Sequence, residues 1–146
     1  MNQFNIRVYG LLINKNNEVL VSDERRSGYS FTKFPGGGLE FGEGIKDALI
    51  REFHEEMNLH VKIQELFYFN EHFQISAFHN KHQLISFYYF VKVDDLSLIG
   101  NEKYLVPLEE DGEKQRWASI DNELFSFLTF PIDKLVAKKM IEDFQK

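Results

Sequence analysis

Five glycines fall within nine positions, Gly36, Gly37, Gly38, Gly42 and Gly44, and they lead straight into the strongest helical pattern in the chain. The whole sequence holds nine glycines, so more than half of them are spent on this one stretch. Without a Cβ, glycine lets a backbone turn sharply or approach another group closely. A loop is expected here, the most flexible region of the chain. The residues after it are regular: Ile45, Leu49, Phe53 and Met57 recur at a four-residue step and make one apolar stripe. A helix is expected over Ile45–Met57, ended by Asn58 in a left-handed conformation, a role in which asparagine is second to glycine.

Around this segment the pattern is mostly β. Residues 4–13 read as a strand on Ile6, Val8 and Tyr9, Asn14-Lys15-Asn16-Asn17 as a turn, and Val19-Leu20-Val21 as the returning strand. Residues 25–30 are polar and loop-like, and 31–34 are a short extended piece stopped by Pro35. Residues 59–79 and 84–93 are β-rich, with a hairpin turn at Asn80-Lys81-His82-Gln83. A polar, acidic loop over 100–112 precedes a short strand at 115–118. Pro131 suits the first turn of a last helix whose buried face is Ile132, Leu135, Val136, Met140 and Phe144. One helix among several strands, with another at the end, implies an α/β fold with a mixed sheet covered on both faces. No repeat, low-complexity tract or linker interrupts residues 1–146, so a single domain is expected.

The first helix carries an acidic edge. At about 100° per residue, Glu52, Glu55 and Glu56 fall within an arc of roughly 100° that borders the apolar stripe. Like charges so gathered repel, and desolvation would push their pKa values up. A hard divalent cation relieves that conflict, and oxygen ligands are those magnesium and manganese prefer. The glycine stretch lets backbone groups approach a metal or a phosphate. Such an arrangement suits metal-assisted attack of water on phosphorus. Taken alone, three glutamates on a helix are more often a solvated face.

Spacing decides between the two. Gly37, five residues, Glu43, seven residues, Arg51-Glu52, Phe53, one residue, Glu55-Glu56 and, three on, Leu59 resembles the Nudix box at every interval. With about one chance in ten at each of the six glycine or polar positions, and roughly a hundred starting frames, coincidence stands near one in ten thousand. The flanks Phe34-Pro35-Gly36 and Glu40-Phe41-Gly42-Glu43 are also similar to those of the family. One position departs: Asn58 stands where the family has glycine, and no metal ligand is lost by it.

The resemblance, which covers residues 37–59, implies an α/β/α sandwich with a central mixed sheet. It implies hydrolysis of a diphosphate bond in a nucleoside diphosphate linked to another moiety, with Mg2+ or, in its place, Mn2+. Glu55 and Glu56 would be the main metal ligands and Glu52 a further ligand or the general base. Arg51 would orient Glu52 or touch phosphate, Glu43 would support the loop, Gly37 and Gly38 would shape it, and the Gly36 carbonyl would complete a metal's coordination. The alternative is a catalytically silent, nucleotide-sensing domain acting as a regulator; such domains usually lose box carboxylates, and this chain keeps Glu52, Glu55 and Glu56.

Outside the box, relatives often add a metal-binding carboxylate before a tryptophan-containing strand, which makes Glu110, Asp111 and Glu113 candidates ahead of Trp117, itself expected in the core. Arg7, Arg25 and Arg26 are candidate phosphate contacts. Among Phe67, Tyr68, Phe69 and Phe87, Tyr88, Tyr89, Phe90 a ring could stack on a base, although alternation sends about half of them inward. His72, His79 and His82 lack zinc-site spacing. The stretch Thr129-Phe130-Pro131-Ile132-Asp133 offers no amide side chain to read a base, which speaks against oxidised-guanine specificity.

A net charge of -6 argues against a duplex nucleic-acid partner and leaves a small nucleotide substrate, whose phosphates divalent metals would neutralise. The chain has no cysteine, hence no disulfide and no thiolate metal site. The start is a poor signal peptide and no apolar run approaches the length of a membrane span, so a cytoplasmic location, no membrane partner and a homodimer among the options for assembly are expected.

Overall fold

The computed structural model describes residues 1–144. The chain adopts a mixed α/β fold of seven strands, three α-helices and one 3-10 turn (Leu96–Leu98) among these residues, gathered into two compact units.

The first unit takes in Met1–Leu12 and Pro35–Asp94. Its four-stranded sheet has the order β4-β1-β6-β5, built from β1 (Gln3–Leu12), β4 (Gly36–Gly38), β5 (Lys62–Phe69) and β6 (His82–Lys92). β1 and β6 run parallel, from Gln3 opposite His82 to Leu12 opposite Val91, and the other two pairings are antiparallel, which makes the mixed sheet expected from sequence. The glycines do not form a flexible loop throughout: Gly36, Gly37 and Gly38 are a short strand opposite Tyr9, Val8 and Arg7. They can be one because a Cβ at Gly36 would come within 2.0 Å of the Val8 carbonyl oxygen. Absent side chains are what let β4 close on β1.

The helix α1 (Ile45–Met57) has the expected bounds, with Ala48, Leu49 and Phe53 buried. Asn58 closes it at φ 54, ψ 37, and its N–H reaches the His54 carbonyl. α1 lies on the sheet face that carries Gly10 and Gly37. A Cβ at Gly10 would fall 2.5 Å from the Phe53 ring, so this glycine makes the seat for that phenylalanine. Beyond β5, the pairing with β6 continues irregularly through Ile75 opposite Gln83, and the turn centres on residues 80 and 81. His82 and Gln83 belong to β6 and not to the turn.

The second unit comprises Ile13–Phe34 and the chain from Asp95 onward. Its antiparallel sheet has the order β3-β2-β7, from β2 (Glu18–Arg26), β3 (Tyr29–Lys33) and β7 (Gly112–Ser119). The polar residues 25–30 are a tight hairpin, with Arg25 and Arg26 ending β2 and Ser27-Gly28 turning at φ 53 and φ 78. Both central residues at positive φ match the turn whose twist suits paired strands. A short helix α2 (Asn122–Phe127), capped by the Asp121 side chain on the Glu123 N–H, has no counterpart among the expected elements. The last helix α3 (Pro131–Phe144) starts at Pro131 as expected. Ile132, Val136 and Met140 are buried, whereas Leu135 is 40% exposed; Asp133, Ala137 and Ile141 fill the face instead. No helix among the described residues is long and apolar enough to cross a membrane.

Candidate active site

The carboxylates of α1 are organised by a single guanidinium. Arg51 Nε donates to Glu43 Oε2 at 2.9 Å and Nη2 to Glu43 Oε1 at 2.6 Å, a two-pronged pair. Nη2 also donates to the Gly38 carbonyl at 3.0 Å, which ties α1 to the glycine strand. Nη1 lies 3.1 Å from Glu52 Oε1, 3.3 Å from Glu55 Oε2 and 3.6 Å from Glu40 Oε1. Four glutamates thus converge on Arg51, two from the loop and two from the helix.

Glu43 is the best held of them. Its Oε1 accepts the Glu40 N–H at 2.9 Å as well, which closes the loop between β4 and α1. Arg51 first, and then this backbone donor, pull the Glu43 carboxyl from its usual value down to about 2. The same pair, ahead of Glu52, pushes the Arg51 guanidinium further up. Both groups are fixed in their charged forms at any physiological pH.

Glu52 is largely enclosed, with 13% of its side chain exposed. Its carboxylate rests against the α-carbon of Gly37, where any Cβ would lie 2.5 Å from Cδ and Oε1. Glu55, by contrast, is 58% exposed and Glu56 is half-buried. The repulsion expected among these helix carboxylates is relieved here by Arg51, which supplies a positive charge between Glu52 and Glu55.

The donors around this edge are carboxylate and carbonyl oxygens, a set chemically suited to Mg2+ or Mn2+. Among the described residues no three His, Asp or Glu side chains stand together in metal-holding geometry. The oxygens of Glu52 and Glu55 face Arg51, and Glu55 has the solvent exposure to turn away from it.

Arg7 comes to the opposite side of the glycine strand. A Cβ at Gly38 would meet its Nη1 at 3.3 Å, and its Nε donates to the Tyr9 hydroxyl at 3.2 Å. Gly38 therefore touches two guanidiniums, Arg51 through its carbonyl and Arg7 through its α-carbon. Sequence reasoning misses Glu40, the Gly38 carbonyl and Tyr9; a loop glutamate two residues after a glycine run gives no periodic signal.

The candidates Arg25, Arg26, Glu110, Asp111 and Glu113 belong to the second unit. Arg25 Nη1 donates to the carbonyls of Leu108 and Glu109, and its guanidinium pairs with Asp111 at 3.7 Å. Asp111 accepts the N–H groups of Ser27 and Gly28 at 2.7 and 3.2 Å, and those bonds hold its carboxyl below the usual range. Arg26 pairs with the buried Glu24 at 3.1 Å. Glu110 is exposed and Glu113 half-buried at the start of β7. Trp117 is core, its Nε1 donating to the Gly100 carbonyl. Of the candidate stacking rings, Tyr88 is buried and Phe69 is 43% exposed beside Phe87.

A glycine strand packed on the acidic edge of a helix, within a mixed α/β fold, gathers carboxylates and one guanidinium at a single place. The chain belongs to the Nudix family: the sequence model of the NUDIX domain matches residues 3–143. The family acts on nucleoside diphosphates linked to other moieties, and the chain is a Nudix hydrolase. Its fold is similar to that of a MutT protein from Methanosarcina mazei Go1, with a TM-score of 0.70, 17% identity, and 99% of this chain and 98% of that one covered. A MutT protein from work on Aliivibrio salmonicida and Vibrio cholerae gives 0.68 at 23% identity over 97% and 100% of the two chains. The E. coli ORF135 protein gives 0.69 at 17% identity over 97% and 91%. No curated protein sequence matches the chain.

Proposed function

We propose that this protein hydrolyses a diphosphate bond in a nucleoside diphosphate linked to another group, and that it needs a divalent cation, Mg2+ or Mn2+, to do so. The reading rests above all on Glu52, an acid held almost out of solvent between Gly37 and Arg51 at the edge of a helix that offers two more carboxylates. The match over residues 3–143 spans both compact units and supports reading them as one catalytic domain. Structures of similar fold include one named a UDP-X diphosphatase, at 16% identity and a TM-score of 0.59, and several named MutT.

Glu55, Glu56, Glu52 and the Gly36 carbonyl would hold the cation. Bound there, it would neutralise the diphosphate and lower the pKa of attacking water. Glu52, oriented by Arg51 Nη1, is placed to accept a proton from that water. Arg51 itself is committed to Glu43 and Gly38, so it acts through Glu52 and not on phosphate. Arg7, one strand from Gly38, is the phosphate contact we favour within this unit.

The test is turnover of purified protein on a panel of nucleoside diphosphate derivatives with Mg2+ or Mn2+. Release of a nucleoside monophosphate or of pyrophosphate is expected, lost on chelation and in Glu56→Gln. Nucleotide binding by the wild type without turnover of any substrate would instead establish a sensor.

A further inference from the structure

We infer that the turn of the β2–β3 hairpin is a binding site for a phosphoryl group, held shut by the chain's own Asp111 carboxylate. The hairpin itself makes the site. Arg26 opposite Tyr29 is the last pair of the ladder, so the N–H groups of Ser27 and Gly28 lie beyond it. Both residues are at positive φ, 53 and 78, and successive amides in such a turn form a concavity that attracts anions.

An anion of the chain's own already sits there. Asp111 Oδ2 accepts the Ser27 N–H at 2.7 Å, and Oδ1 accepts the Gly28 N–H at 3.2 Å. Those two bonds, with the charges of Arg25 and Arg26 beside them, hold the Asp111 carboxyl below its usual range. Yet the carboxylate leaves one donor over. Arg25 Nε stands 3.7 Å from Oδ1, buried, and has no hydrogen-bond partner among the described residues. The guanidinium is fixed from behind, because its Nη1 donates to the carbonyls of Leu108 and Glu109.

That spare donor selects the ligand. A terminal phosphoryl group carries three acceptor oxygens, one for each N–H and one for Nε, and up to about twice the charge of a carboxylate. There is room for it: a Cβ at Gly28, or at Gly112 beside Asp111, would meet nothing among the described residues within 4 Å. Asp111 itself is 57% exposed and can withdraw into water. The phosphoryl group of a nucleotide and free phosphate present the same oxygens to these three donors.

An amide NMR titration of the full chain with phosphate, without divalent metal and against chloride at equal ionic strength, tests the site. A tethered carboxylate competes at an effective concentration on the order of millimolar. Phosphate is therefore expected to shift the Ser27 and Gly28 amides of Asp111→Ala at concentrations at least about tenfold lower than in the wild type. Arg25→Met added to Asp111→Ala should remove that gain, and a dispersed spectrum shows each variant to be folded. A nucleoside monophosphate acting at lower concentration than phosphate assigns the group to a nucleotide, and equal action assigns it to free phosphate. Silent Ser27 and Gly28 amides in Asp111→Ala overturn the proposal, as do equal shifts with chloride or a gain that survives Arg25→Met. Nothing is turned over in this titration, so its outcome is separate from that of the hydrolase reading.

Discussion

Gly37 and Glu52 occupy each other's space: a Cβ on this glycine would sit 2.5 Å from the glutamate's Cδ. The glycine is needed here for room and not for unusual backbone angles, since it is not among the residues at positive φ.

Gly37→Ala is therefore expected to displace the Glu52 carboxylate while the fold survives. Misplacing a catalytic group by about 1 Å costs on the order of a hundredfold in turnover. Gly100→Ala makes the control, because its Cβ would meet only Glu102 Cγ at an ordinary 3.9 Å. Turnover of the two variants under saturating Mg2+, with melting curves alongside, separates them. Equal activities would show that the position of Glu52 does not limit the reaction.

The Glu43–Arg51 pair predicts a pH dependence of stability. Glu43 has a folded-state pKa of about 2 against an ordinary 4.5, so its contribution is complete above the ordinary value. It is lost as pH falls from about 4.5 through about 2. Glu43→Gln is expected to lower the urea midpoint at neutral pH and to flatten the fall in that acid window. Parallel midpoint curves for the two proteins down to about pH 2.5 would mean the pair contributes nothing to folding.

Asn58 sits at φ 54 in the left-handed cap. Alanine there would carry the full steric cost of that conformation, a loss of about 1 kcal/mol. Glycine would relieve the backbone but lose more entropy on folding, so Asn58→Gly should stay within about 0.5 kcal/mol of the wild type. Denaturant midpoints of the two variants measure this directly. If alanine proved no worse than glycine, the cap would not be under steric tension.

Which of these features the sequence discloses is itself a matter of physics. α1 is legible to the residue because thirteen positions repeat a four-residue apolar step and Asn58 stops it. The spacing of Glu43, Arg51, Glu52, Glu55 and Glu56 names the family for the same reason. β4 is not legible, since alternation is carried by side chains and Gly36, Gly37 and Gly38 have none. The hairpin at Ser27-Gly28 hides behind polarity: Asp23 and Glu24 look like loop residues until Arg116, distant in sequence, and Lys33, across the hairpin, pair with them. α2, at six residues, is too short to show a period. Hydrophobicity alone points Leu135 inward, while Asp133 takes a buried place near the Phe34 N–H at 3.4 Å. At the site, the side chains can be foreseen but their common partner cannot. Periodicity puts Glu52 and Glu55 on one arc; it does not say that Arg51 Nη1 stands between them.

Asp23 and Arg116 give the sharpest test of what holds the second unit together. Arg116 Nε lies 2.6 Å from Asp23 Oδ2 and Nη2 lies 3.3 Å from Oδ1, and both side chains are buried. Thr32 Oγ1 donates to Asp23 Oδ1 at 2.6 Å, and the guanidinium lies 4.6 Å from the Phe127 ring centroid. Removing one partner strands the other charge out of water, which costs about 3–5 kcal/mol, whereas replacing both by apolar residues of similar volume is often neutral. Arg116→Met should thus be severely destabilising in urea, and Asp23→Leu in the same chain should recover most of the loss, short of the part owed to the unpaired Thr32 hydroxyl. A double variant as weak as the sum of the single ones would show the attraction between the two ions to be a minor part of the energy, with packing against Phe127 carrying the rest.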